Sequence, residues 1–260
     1  MPFPPAVVNR LAQFSGPNVQ SVRVGEFHQC FDVLLSHQSC PLNLSWAKAK
    51  LHLAAHDNNA GFKASTIVSR PCLRAAAVDR QPDWPAVYLL AMIWGFGETN
   101  GKPAKDGPPK LFVSTQTADV AIKLDKVAAE VVAGNLAASF DAICTQDGGA
   151  KLRQMGTSFG TKFLFVVGMR LRQEAVHPLV FDRRIAKALL ALRAGFPDDL
   201  NATDFPWFKV ADGAEYQSYC SCIKETAALM NKVEGGFYDQ WDSYKLEQLL
   251  FERAENIGEQ

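Results

Sequence analysis

The sequence predicts an all-α protein: one unit, 1–260, with two helical lobes packed around a cleft. Three observations carry that expectation. Seven segments place apolar residues at three- and four-residue spacing, the pattern of a helix that buries one face. Extended segments are scarce: "VQSVRVGEF" (19–27) alternates only briefly, and "PKLFVSTQT" (109–117) reads as a short extended piece. A length of 260 residues, 48% hydrophobic and 21% charged, is ample for one large core or two small ones.

In chain order the helices are expected at 45–56 ("SWAKAKLHLAAH"), 84–95 ("WPAVYLLAMIWG"), 117–146 ("TADVAIKLDKVAAEVVAGNLAASFDAICTQ"), 161–172 ("TKFLFVVGMRLR"), 182–195 ("DRRIAKALLALRAG"), 215–234 ("EYQSYCSCIKETAALMNKVE") and 244–256 ("YKLEQLLFERAEN"). The second is apolar along its whole length. The fifth opens on Asp182, a good N-cap. Pro/Gly loops at 81–85, 95–109, 147–160 and 195–207 separate them. The organisation reads as N-terminal and middle helices (1–146), a glycine turn and aspartate loop (147–195), and C-terminal helices (196–260).

No run of about 18 uncharged apolar residues is present, so no transmembrane helix is expected. The opening "MPFPPAVVNRLAQF" has no basic flank before an apolar stretch and does not read as a signal peptide. The six cysteines show neither a C-x-x-C pair nor zinc spacing, which reads as reduced thiols in the cytoplasm. Net charge is zero but unevenly spread. Residues 151–195 carry nine Lys/Arg against Glu174 and Asp182, whereas 196–260 hold five basic and thirteen acidic side chains. The basic island suits a polyanion such as nucleic acid; a solvated face paired with the acidic C-terminal region explains the same charges.

Within that island, "GGAKLRQMGTSFGTKFLFVVGM" reads as helix, glycine hairpin, helix. Free N–H groups at the second helix start, with the helix dipole, form a phosphate site that Gly156, Thr157, Ser158, Gly160 and Thr161 leave open to close approach. Lys162 is expected on the first turn of that apolar helix, where an ammonium needs a partner. Asp182, at the end of the loop "HPLVFD", is the candidate partner.

This order (helix, Gly-x-Gly hairpin, Thr-Lys, helix, Pro-containing loop ending in Asp at a helix start) resembles the helix-hairpin-helix DNA glycosylases, and within them the 8-oxoguanine DNA glycosylase branch. It is similar also to bacterial proteins of that fold, some of which act on bacteriophage DNA with modified cytosines. The matching core runs from about 147 to 195. The resemblance implies a helix-hairpin-helix fold around a DNA-binding cleft, with Lys162 as amine nucleophile or base-site contact and Asp182 supporting chemistry at the sugar. Double-stranded DNA is the expected partner of a monomer. No cofactor is expected, a structural monovalent cation at the hairpin being the one allowance.

Three departures bear on specificity. The hairpin Gly-hydrophobic-Gly is Ser158-Phe159-Gly160 here, and the loop from Pro178 to Asp182 is two residues longer than the family's Pro-x-Asp. The absent four-cysteine iron–sulfur pattern argues against the cluster-bearing branches.

The chemistry fits the residue types. Breaking an N-glycosidic bond develops positive charge on the sugar, which a fixed carboxylate stabilises. An attacking lysine must be partly neutral, which a poorly solvated pocket near Arg183, Arg184 and a helix N-terminus favours. A glycosylase must also extract and sandwich its base. Trp94 and Phe96, at and just after the end of the helix at 84–95, are candidates for the base pocket and for filling the gap, Phe251 for facing the flipped base, and Asn100, Arg183 and Arg184 for contacting DNA. His177 is a candidate phosphate contact or a plain loop residue. The expected substrate is a modified base, either a hypermodified phage cytosine such as glucosylated hydroxymethylcytosine or 8-oxoguanine. A non-catalytic DNA-binding module and a helical scaffold with an acidic face are the other classes.

Overall fold

The structure, a computed structural model, describes residues 1–14, 16, 25–28, 36, 42–56, 65–96, 119–152, 155–200, 210–234, 236, 240–254 and 257. In chain order its elements are α1 (Pro5–Ala12), β1 (Gly25–His28), α2 (Asn43–His56), β2 (Ser65–Val68), α3 (Arg70–Val78), α4 (Trp84–Phe96), α5 (Val120–Val132), α6 (Leu136–Cys144), α7 (Thr157–Gly168), α8 (Arg183–Gly195), α9 (Gly213–Met230) and α10 (Ser243–Glu252). The all-α expectation holds, with one small addition. β1 and β2 form an antiparallel two-stranded ribbon in which Gly25 faces Val68 and His28 faces Ser65.

Two buried helices organise the rest. In α4, every residue from 86 to 94 is at most 3% exposed. A helix apolar on all sides needs cover on all sides, and α2, α3, α5, α7 and the ribbon supply it. In α7, residues 160–168 are all buried, and the helix lies against α3, α4, α5 and α6. The C-terminal half gathers on α9, which packs against α1, α6 and α10, with α8 on the other side of α10.

Differences from the expected elements have local causes. The helix expected over 117–146 is two helices, α5 and α6, because Gly134 takes a left-handed backbone with φ of 83° and turns the chain. α1 and α3 were not expected; both carry proline in their first turn, where it starts a helix instead of breaking one. Only the end of 19–27 is described, as part of β1, and 109–117 lies outside the described residues. Among the described residues no helix is long and apolar enough to cross a membrane. Cys72, Cys144, Cys220 and Cys222 are free and buried; burial pushes the Cys72, Cys220 and Cys222 thiols up to about 12.

Gly134 offers a clean test of the helix break. A Cβ there meets nothing within 4 Å, so only backbone strain opposes a side chain. Gly134→Ala is expected to lower stability by about 1–2 kcal/mol, and Gly134→Asn by less, since Asn tolerates the left-handed region. Chemical denaturation of the three proteins measures both.

Candidate active site

Lys162 is the sixth residue of α7, because the helix begins at Thr157 with Gly156 as its N-cap. This corrects the expected hairpin. Ser158-Phe159-Gly160 is helical, with the Gly160 N–H donating to Gly156 O at 2.9 Å, so the chain turns before Gly156 and Lys162 sits on the second turn. The consequence is chemical. Side chains on a helix lean back toward its N-terminus, and the Lys162 stem follows that direction. Its Nζ donates to Ser158 Oγ at 2.9 Å and to Ser158 O at 3.2 Å, and stands 5.5 Å from the Phe159 ring centre.

The charge of that ammonium is met by Asp182, whose Oδ2 is 3.3 Å from Nζ; the two side chains are only 7% and 13% exposed. Asp182 also caps α8. Its Oδ1 accepts from the N–H groups of Arg184 at 3.0 Å and Ile185 at 3.1 Å. One oxygen holds the helix and the other faces the lysine. Gly95, at the end of α4, walls the pair: a Cβ there would stand 2.5 Å from Lys162 Cδ and 3.3 Å from Phe159 Cε1.

Around the pair two helix N-termini converge. Gly156 is exposed and Thr157 and Ser158 are half-buried at the start of α7, while Arg183 and Arg184 are exposed on the first turn of α8. The Arg184 guanidinium lies 4.5 Å over the Phe251 ring, which brings the C-terminal aromatic to the same end of α8.

Other expected site residues do different work. Gly160 is buried against α6, where a Cβ would come within 2.3 Å of Cys144 Sγ, so it serves helix packing instead of phosphate approach. Thr161 is also buried, and its Oγ1 accepts from Phe181 N–H at 3.0 Å. Trp94 is 3% exposed and stacked on Phe165, ring centres 5.5 Å apart, so it belongs to the core and fills no gap in DNA. His177 is buried between α7 and α10, its Nδ1 at 3.2 Å from Gly168 O and 2.7 Å from the Tyr244 hydroxyl. Burial holds that imidazole below its ordinary pKa. The Phe96 side chain and Asn100 lie outside the described residues.

The structure adds one feature that periodicity could not signal. A cavity of about 610 Å³ lies along α7, lined by Arg70, Arg74, Phe165, His177, Asp242 and Tyr244 among others. Phe165 is one turn from Lys162 on the same helix. Over it, 5.2 Å from ring centre to guanidinium, sits Arg70, which also pairs with the buried Glu247 at 3.2 Å. Among the described residues no three His, Cys, Asp or Glu side chains gather as a metal site.

A family model described as "Putative 8-oxoguanine DNA glycosylase OGG-like protein" matches residues 34–251, the greater part of the chain. No curated protein and no solved structure matches.

The packing role of Gly160 has a direct test. Gly160→Ala is expected to cost about 1–3 kcal/mol through the clash with Cys144. Adding Cys144→Ala removes the opposing sulfur, so the double variant should recover more than half of that loss. Thermal denaturation of the parent, both single variants and the double variant measures the coupling.

Proposed function

We propose that this chain, which belongs to the OGG-like 8-oxoguanine DNA glycosylase family, excises a modified base from double-stranded DNA and leaves an abasic site. The observation that carries the reading is the nearly water-free pair of Lys162 and Asp182, 3.3 Å apart, set where two helix N-termini meet. An ordinary fold has little reason to place an ammonium on a helix whose residues 160–168 are all buried. A nucleophile with a proton acceptor beside it is a chemical reason.

In this reading Asp182 takes a proton from the Lys162 ammonium, and the freed amine forms a bond to C1′ of the flipped nucleotide. The N-glycosidic bond breaks with its electron pair going to the base, which takes from Asp182 the proton that the carboxylate received, and the restored carboxylate opposes the positive charge on the sugar. The C1′–O4′ bond then opens, O4′ taking a proton as the nitrogen loses one, which leaves Lys162 joined to C1′ as an imine; water hydrolyses the imine to the abasic aldehyde and the free amine. Ser158 holds the amine toward this position. Gly156, Thr157, Arg183 and Arg184 are placed to meet backbone phosphates on the exposed rim, and Phe251 to stack on the base. No cofactor enters the scheme.

For the substrate we favour a bulky base, a hypermodified cytosine such as glucosylated hydroxymethylcytosine, removed in defence against bacteriophage. The cavity along the C-terminal part of α7, whose lining includes neither Lys162 nor Asp182, supplies chemistry of the kind such a substituent needs. It combines guanidinium donors (Arg70, Arg74), a carboxylate (Asp242), a tyrosine hydroxyl and an aromatic floor, a mixture that suits a hydroxylated substituent. Repair of 8-oxoguanine is the second reading, and the description of the family favours it.

Base release from oxidised, alkylated, deaminated and hypermodified phage DNAs, read by mass spectrometry, tests the assignment. Asp182→Asn retains a good N-cap but leaves the Lys162 ammonium without its counter-charge, a loss of about 3–5 kcal/mol; in the folded protein DNA affinity is expected to hold while release falls at least ~10²-fold. Release at the parent's rate would remove Asp182 from the reaction. Gly95→Ala pushes on the lysine stem without touching either charge, and should lower kcat about 10- to 100-fold at unchanged DNA affinity. Single-turnover kinetics and a binding titration separate the two effects.

A further inference from the structure

We infer that three buried hydroxyls, those of Tyr216, Tyr219 and Thr161, form a positioning ladder that sets the spacing between Lys162 and Asp182. The inference rests on the glycosylase reading for its kinetic meaning and on geometry for its existence. Residues 178–182 form neither helix nor strand, so the backbone there has no ladder of its own. Yet Leu179 and Val180 are fully buried and Phe181 is 7% exposed. Polar backbone groups in that position need partners from elsewhere.

Three consecutive residues are each served by one hydroxyl. Tyr216 donates to Leu179 O at 2.7 Å, Tyr219 donates to Val180 O at 3.2 Å, and Phe181 N–H donates to Thr161 Oγ1 at 3.0 Å. The Thr161 proton goes back into its own helix, to Thr157 O at 2.9 Å, which leaves its lone pair for Phe181. The tyrosines are three apart on α9 and share a face; Phe140 stacks on one at 4.6 Å and Phe181 packs edge-on against the other at 5.2 Å. Burial raises the Tyr216 hydroxyl well above the ordinary tyrosine range.

The last rung matters most. Thr161 precedes Lys162 and Phe181 precedes Asp182, so one hydrogen bond joins the two chains one residue from the reacting groups on both sides. A shift of a few tenths of an ångström there passes directly into the Lys–Asp distance. The three hydroxyls touch no substrate; they are positioning residues.

The test compares Thr161→Ser, Thr161→Val, Tyr216→Phe and Tyr219→Phe in the full chain. Thr161→Val is expected to lower kcat about 10²-fold with KM within about threefold, and to displace the pH–rate profile, because geometry at the pair changes while the DNA surface does not. Thr161→Ser keeps the hydroxyl and should stay within about threefold of the parent. The tyrosine variants should lose about tenfold each. A second readout needs no activity: the titration midpoint of Lys162, followed by NMR of ε-¹³C-lysine, should move in Thr161→Val and Tyr219→Phe and stay in Thr161→Ser. Unchanged midpoints overturn the ladder, as does a Thr161→Ser variant as impaired as Thr161→Val. A parent that releases no base from any DNA overturns the glycosylase reading instead, and the titration still decides the ladder.

Discussion

An ammonium group cut off from water must be given a counter-charge, and much of the local architecture follows from how this chain meets that demand at Lys162. The carboxylate comes from Asp182, twenty residues on, across the loop that joins α7 to α8. Because Asp182 also caps α8, the start of that helix is tied to the side of α7. Because the lysine leans toward the N-terminus of α7, the pair forms where both helices begin. Removing one member of such a pair leaves the other charge buried, a loss of about 3–5 kcal/mol, yet the intact pair is commonly no more stable than apolar residues of equal size. Stability therefore does not explain its presence in an apolar helix; the proposed chemistry at that point offers a reason.

Much of this was legible in the sequence, for reasons that separate what worked from what did not. Seven segments were recognised as helical because burial on one face imposes a 3.6-residue period. Lys162 and Asp182 were found because each breaks the local pattern, one as a charge in an apolar run and the other as a capping residue after a Pro-containing loop. The turn of the helix that carries Lys162 was misplaced, because Thr157 and Ser158 look like loop residues until their helical hydrogen bonds are formed. Gly160 and Trp94 were given roles toward DNA that three-dimensional packing takes away: a small residue near a turn and an aromatic near a loop have the same sequence appearance whether they face ligand or core. The segment 117–146 was read as one long helix, and the left-handed backbone of Gly134 divides it.

The partners of the pair came from contacts that no local pattern records. Gly95 clears space for the lysine stem from α4, and the tyrosines of α9 hold the aspartate loop. These residues lie on two separate helices that long-range packing brings against α7 and the loop after it. The cavity along α7 is of the same kind, since Arg70 enters it from a helix whose first turn holds a proline.

The central claim is that the Lys162 amine attacks the sugar, and covalent capture addresses it most directly. Borohydride added while the protein acts on DNA containing its substrate base reduces the imine formed at C1′, and peptide mapping locates the linked residue. The account predicts one protein–DNA adduct, mapped to Lys162 and absent from Lys162→Gln. Free base released without any adduct, or an adduct at another lysine, would contradict it.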